Sequence, residues 1–203
     1  MEEGIAMVLN LYDLFERIAH VLPEALNTFR AQTPQGFVAT SEKLLEVAVV
    51  HLEEQGKNLR KSSEDNITSS AIGFFNRYGI RASSQTNSRG HVDIYICHSY
   101  LPALVICGEA KIWDGVVYHI GGLSQVLGYC TGRMPNCFLL AYVTKGKIDQ
   151  QIRTLQAALD KGLPEQQQGL SSPHASMRWT LVTSHLHSGS GEVKVLHAGV
   201  NLC

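Results

Sequence analysis

Apolar residues recur first at helical and then at strand spacing along this chain. Leu11, Leu14, Phe15, Ile18 and Leu22 fall on one face of a helix over 9–31, which Pro23 should kink or split. Thr33-Pro34 and Gln35-Gly36 read as a turn, and Leu44, Leu45, Ala48, His51 and Leu52 stripe a second helix over 41–55. Ser62 followed by Asp65 marks a third helix start. Its stripe is Ile67, Ala71, Phe74, Phe75 and Tyr78, and Gly79 ends it. Strand-like runs follow over 80–86, 91–97 and 103–111, separated by Asn87-Ser88-Arg89-Gly90 and by 98–102. In the middle run, period two sets Val92, Ile94 and Ile96 against Asp93 and Tyr95.

Gly121-Gly122 reads as the opening of a helix that runs to about residue 133. The continuous apolar run 137–143 suits the centre of a sheet. Residues 147–161 carry Ile148, Ile152, Leu155 and Leu159 on one helical face, and 162–173 reads as loop. Alternating runs over 177–184 and 192–198 flank Ser188-Gly189-Ser190-Gly191 as a closing hairpin. After the two leading helices the order is therefore α-β-β-β-α-β-α-β-β. Short turns make the early strands antiparallel, and the βαβ unit ending at 143 should be parallel and right-handed. The expected fold is α/β. A mixed central β-sheet flanked by helices occupies 57–203, with an N-terminal helical extension over 1–56.

Composition fits an ordered chain with a sizeable core: 203 residues, 44% hydrophobic and 17% charged. A net charge of -1 leaves no global basic footprint for nucleic acid. The distribution is uneven. Residues 1–56 hold three basic against nine acidic side chains, whereas 57–161 hold twelve against seven. The acidic extension would repel DNA, so its two apolar stripes should be buried on the sheet domain or on a second copy, with homo-oligomerisation the favoured role. No apolar run approaches the ~18 residues of a membrane span. Five cysteines without a CxxC, and the acidic start Met1-Glu2-Glu3, fit a reducing cytoplasm.

The basic middle segment also carries the candidate chemistry. Asp93 and Glu109 lie on neighbouring strands if 98–102 forms a hairpin, and Lys111 shares the face of Glu109. Two carboxylates suit a hard cation such as Mg²⁺, with Mn²⁺ as substitute, and the backbone carbonyl of Ala110 could add a ligand. Such a cation polarises phosphoryl oxygens and lowers the pKa of water, which is the requirement of phosphodiester hydrolysis. Lys111 would position the attacking water or neutralise charge on the phosphorane. An ExK tripeptide alone is common by chance; Asp93 before it, and Gln125 and Tyr129 one turn apart on the following helix, make the set more specific.

With Glu109-Ala110-Lys111 preceded by Asp93 and followed by Gln125-Val126-Leu127-Gly128-Tyr129, residues 62–143 resemble the PD-(D/E)XK nuclease superfamily and its QxxxY branches. Val92 stands where the motif has proline, and Glu64 falls where many members carry a glutamate on the preceding helix. The resemblance implies a restriction-endonuclease-like αβββαβ core and Mg²⁺-dependent cleavage, of DNA more often than RNA. Restriction or anti-phage defence follows by analogy only. An inactive nucleic-acid-binding or assembly subunit, and an RNA-directed enzyme, are the alternatives.

Several residues keep two readings. Glu64 would reach the metal through water, brace Lys111, or simply complement the helix dipole. Gln125 and Tyr129 would touch a phosphate or support the site. Arg89, Arg133, Lys145 and Lys147 are backbone-binding candidates or ordinary surface charge. His91 and His119 flank the motif. His185, His187 and His197 would form a zinc site or be satisfied polar residues, since no fourth ligand has the usual spacing. Gly121-Gly122 would offer amides to a phosphate or be a plain helix entry.

Overall fold

The computed structural model describes residues 16–17, 19–20, 23–87, 90–130 and 134–203. It is an α/β fold built on a seven-stranded mixed sheet flanked by helices. Helices α1 (Pro23–Arg30), α2 (Pro34–Glu54), the short α3 (Gly56–Leu59) and α4 (Glu64–Arg77) precede strands β1 (Arg81–Asn87), β2 (Gly90–Cys97) and β3 (Val105–Ile112). Helix α5 (Val116–Tyr129), strand β4 (Asn136–Val143) and helix α6 (Ile148–Gly162) follow. Strands β5 (Ser172–Pro173), β6 (Thr180–His187) and β7 (Gly191–Asn201) complete the chain. The strand order is β1-β2-β3-β4-β7-β6-β5. Only β3–β4 and β4–β7 are parallel; the other neighbours are antiparallel, as their short connections require.

Two layers cover the sheet. On one face, Phe37, Leu44, Leu45 and Leu52 of α2 and Ile67, Ala71 and Phe75 of α4 share a core with Ile94, Ala110, Tyr142 and Leu202. On the other, Leu123 and Val126 of α5 and Ile152, Leu155 and Leu159 of α6 pack with Leu139, Val143, Leu181 and Val195. The apolar stripe of α2 is thus buried on the sheet. Burying each of its large side chains contributes roughly 2 kcal/mol, and Glu53 Oε1 accepts the amide of Asn201 at 2.9 Å, tying α2 to the end of β7.

Several boundaries differ from the sequence reading. The kink expected at Pro23 depends on residues 21 and 22, which lie outside the described residues, as do residues 9–15 and 18 of the first helix. The expected turn at Thr33-Pro34 is the start of α2: Thr33 caps it by accepting the Gly36 amide, and Pro34 fills the first turn, where its missing N–H costs nothing. The N-cap of α4 is Ser63, one residue later than expected. Helix α5 begins at Val116 behind Gly115, so Gly121 and Gly122 lie inside it and offer no free amides to a phosphate. Gly122 serves close packing instead: a Cβ there would sit 3.1 Å from Leu139 Cδ1 and 3.3 Å from Lys111 Cγ.

The facing of β2 also differs, for a reason that shapes the site. Ser83 pairs with Tyr95 but Gln85 pairs with Val92, so Asp93 and Ile94 together oppose Ser84. This bulge resets the alternation. Val92 joins Tyr95 beside Cys107 and Tyr129, while Ile94 and Ile96 enter the larger core on the opposite side.

Candidate active site

The pairing of β2 with β3 runs from Cys97 and Val105 to Ile94 and Gly108. Beyond Gly108, β3 continues beside β4 alone as far as Ile112. Asp93 stands where the two strands part. Its Oδ2 accepts the amide of Ala110 at 3.1 Å, taking the donor that a further ladder bond would have used. On the other side of the gap, Glu64 in the first turn of α4 accepts the amide of Ile112 through Oε2 at 2.7 Å. Two side-chain carboxylates therefore replace backbone pairing along this part of β3, which aims both at its C-terminal end.

Lys111 gathers them. Its Nζ lies 2.6 Å from Glu109 Oε1 and 3.7 Å from both Asp93 Oδ2 and Glu64 Oε1. The aliphatic stem runs past Gly122 of α5, so the helix glycine makes room for the lysine. Burial alone would lower the Lys111 pKa, but the hydrogen bond and charge of Glu109, with Asp93 and Glu64, hold it above the ordinary lysine value. Burial pushes Glu109 up to about 7 against the pull of Lys111, and the charge of Asp93 adds to the rise.

Glu109 is 2% exposed, and its Oε2 is buried with no hydrogen-bond partner. An orphaned carboxylate oxygen beside Asp93 fits a hard divalent cation, which would complete its coordination. Among the described residues, no three or more His, Cys, Asp or Glu side chains are grouped to hold a metal. A site here therefore rests on two carboxylates and backbone or solvent oxygens. The amide of Ala110 is committed to Asp93, which leaves its carbonyl as the group a cation would use.

Tyr129 lies close by and donates its hydroxyl to the carbonyl of His91 at 2.6 Å, holding the strand two residues before Asp93. Burial and the charges of Glu109 and Asp93 raise its pKa, so it remains a donor. Gln125 is exposed on α5, and its side chain makes no hydrogen bond among the described residues. Lys145 is exposed in the loop after β4, at the same end of the sheet as the cluster. Arg89 and Arg133 lie outside the described residues. His91 lines a polar cleft of about 250 Å³ with Glu64, Asp65, Ser69 and Asp93, and its Nε2 is 2.8 Å from Ser84 Oγ.

The remaining histidines make a buried chain instead of a three-ligand metal group. His119 Nε2 meets His197 Nδ1 at 2.9 Å, His197 Nε2 meets Thr183 Oγ1 at 2.8 Å, and Thr183 Oγ1 meets His185 Nε2 at 2.7 Å. His185 Nδ1 donates to the Glu165 carbonyl at 3.1 Å. That carbonyl fixes the direction of every proton, because it can only accept. Thr183 then donates to His185, His197 to Thr183 and His119 to His197, all with neutral rings. His119 Nδ1 ends the chain as a buried acceptor without a donor. Spacing sets His185 and His187 on one strand; His185 instead meets Thr183 two residues away, the chain continues to His119 through a His197 bond that spans 78 residues, and His187 is outside the chain of bonds.

Among the described residues no helix is long and apolar enough to cross a membrane. No family model, no curated protein and no solved structure matches this chain.

Proposed function

We propose that this chain is a Mg²⁺-dependent nuclease of the PD-(D/E)XK type, hydrolysing phosphodiester bonds in nucleic acid, with DNA the favoured substrate. The observation that carries the reading is the meeting of Asp93, Glu109 and Lys111 at the parting of β2 and β3, with Glu109 Oε2 buried and unpartnered. The α-β-β-β-α-β succession from α4 to β4 supports it.

Asp93 and Glu109, with the Ala110 carbonyl, would hold Mg²⁺ or Mn²⁺. When bound, the cation polarises the phosphoryl group and makes water a stronger nucleophile. The residues of the chain do the rest. Lys111 presents an ammonium donor to the reacting phosphoryl group and offsets the charge that accumulates on it. Glu64 fixes the lysine and the end of β3. Tyr129 fixes the strand that carries Asp93. Gln125, exposed on the same helix, would contact the substrate from outside the cluster.

The test is cleavage of plasmid DNA, with RNA digested in parallel, in Mg²⁺, Mn²⁺, Ca²⁺ and EDTA. Cleavage in Mg²⁺ and Mn²⁺, little in Ca²⁺ and none in EDTA is the expected pattern. Undiminished cleavage in EDTA excludes the assignment. Tight binding with no cleavage under any condition favours the inactive assembly subunit, for which Lys111 already supplies the positive charge among the carboxylates.

A further inference from the structure

We propose that Lys57, Arg60, Lys61, Lys145 and Lys147 form a track for the phosphodiester backbone of nucleic acid, running along the C-terminal end of β3 and β4 to the Asp93–Glu109–Lys111 cluster. The proposal rests on the nuclease reading for its purpose, and on the placement of these five residues for its existence.

Contacts to the backbone bring distant parts of the sequence together here. Arg60 Nε donates to the carbonyl of Thr144 at 3.1 Å, which joins the α3–α4 connection to the loop between β4 and α6. Leu202 donates to Val143, and a Cβ on Gly56 would sit 3.2 Å from Leu202 Cα. The cations thus flank the end of β4 from both sides. Glu64, three residues beyond Lys61, reaches Ile112 at the end of β3 and so joins this surface to the cluster.

All five side chains are exposed, and none takes part in an ion pair among the described residues. Lys43, Lys111, Arg153 and Lys194 each have a carboxylate partner. Arg77, Arg81 and Lys161 are also exposed and without an ion pair among the described residues, but they lie at the opposite ends of their elements, so position and not the lack of a partner sets the five apart. Glu54, Asp65 and Asp114 are the exposed acids on the adjoining segments, fewer than the five cations.

The placement also opposes local stability. Lys147 occupies the N-cap of α6 and makes no side-chain cap bond, where Ser, Thr, Asp or Asn would satisfy a free amide. A cation at that position is opposed by the positive end of the helix dipole. Lys61 stands two residues before the Ser63 cap of α4. The N-termini of α4, α5 and α6 all open at this end, because α5 and α6 follow β3 and β4 and the first turn of α4 binds β3. Positive side chains added to positive helix ends repel one another, and a polyanion laid across them removes that repulsion. The chain as a whole is at -1, so this surface arises from local placement and not from bulk charge.

The test is fluorescence anisotropy of the full chain with a short labelled DNA duplex in Ca²⁺, titrated with salt. One variant combines Lys61→Gln, Lys145→Gln and Lys147→Gln. Its control combines Arg77→Gln, Arg81→Gln and Lys161→Gln, exposed cations at the opposite ends of the same layers. The track variant should bind ~10-fold or more weakly, with the slope of log K against log salt reduced by about 3. The control should stay within about twofold of wild type. Equal weakening of both variants, or of neither, overturns the track. The same selective loss on RNA, with tighter wild-type binding than to DNA, keeps the track and names RNA as its occupant. Selective loss of binding with no cleavage in Mg²⁺ by any form keeps the track and removes the nuclease reading. Normal binding by the track variant with normal cleavage keeps the nuclease and removes the track.

Discussion

Asp93 and Ala110 are joined by a hydrogen bond from a backbone amide to a carboxylate, 3.1 Å long, at the point where β2 leaves β3. One side chain thereby satisfies a sheet amide and serves as half of the proposed cation site. The bulge opposite Ser84 makes this feasible, since it re-aims Asp93 out of the regular alternation. Structure and chemistry at Asp93 are therefore coupled, and substitutions should separate them by which oxygen property they keep.

Asp93→Asn keeps an acceptor for the Ala110 amide and removes the charge. Cleavage should be lost while the urea midpoint stays near wild type. Asp93→Ala should lose cleavage as well, and leaving the amide unsatisfied should cost about 1–3 kcal/mol. Equal stability of the two variants would show that the bond to Ala110 contributes nothing.

Lys111→Met should reduce cleavage by on the order of 10²-fold or more, if the ammonium acts on the transition state. It also removes the cation that Glu109, Asp93 and Glu64 share. Added Mg²⁺ should then raise the melting temperature of the variant by more than that of wild type, because ligand binding to the native state adds stability. A variant with unchanged cleavage, or no greater response to Mg²⁺, would break this account of the lysine.

Tyr129→Phe keeps the ring packed against Val92 and Cys107 and deletes only the donor to the His91 carbonyl. Stability should fall by roughly 0.5–1.5 kcal/mol, and cleavage should fall with Mg²⁺ affinity retained. A wild-type cleavage rate would make Tyr129 a packing residue alone.

Acid should destabilise the protein through the buried histidines. Burial lowers His119 to about 3 and holds His197 well below its ordinary value. A depressed native pKa means the unfolded chain binds more protons between the two values. The contribution is complete above about pH 6.5 and is lost as the pH falls through that window. The loss by pH 5 amounts to roughly 2 kcal/mol for His119 alone. Urea midpoints measured from pH 7 to pH 4 should fall for wild type and fall less for His119→Gln. Identical pH profiles for the two would exclude the histidine chain as the source.

Much of this architecture is written in local pattern. The apolar runs mark β2, β3 and β4 within a residue or two and the closing hairpin within three, and ExK spacing puts Glu109 and Lys111 on one face. Less visible is anything set by contacts distant in sequence. The insertion of β7 between β4 and β6 has no local signal, and neither has the His119–His197 bond, which spans 78 residues. The start of α5 is hidden because its N-cap is Gly115 and no Ser, Thr, Asp or Asn caps it with a side chain, while the internal Gly121-Gly122 draws attention to the wrong place. The bulge at Asp93 is hidden because a single extra residue leaves the run 91–97 looking regular. Gln125, paired with Tyr129 by spacing, is separated from the cluster by its exposure: helical spacing fixes a face and says little about how far a side chain reaches.

Residues 1–56 hold nine acidic against three basic side chains. Their charge keeps them away from a polyanion, and their apolar stripes suggest burial on the sheet or on a second copy. For α2 the partner is the sheet: Leu44 and Leu52 are fully buried in the core that holds Tyr142 and Leu202. A chain starting near Asn58 would expose that face and leave the Asn201 amide without Glu53, so it should show no cooperative unfolding. Leu52→Ala in the full chain should cost about 2–5 kcal/mol. With this stripe committed, the apolar stripe ahead of α2 is the one of the two left for self-association. A chain starting at Gln32 should then stay folded, and light scattering should find it monomeric where the full chain should be a closed dimer. Cooperative unfolding at wild-type stability by the chain starting near Asn58 would show that α2 is dispensable to the core. A dimer persisting in the chain starting at Gln32 would return the interface to α2 or the sheet.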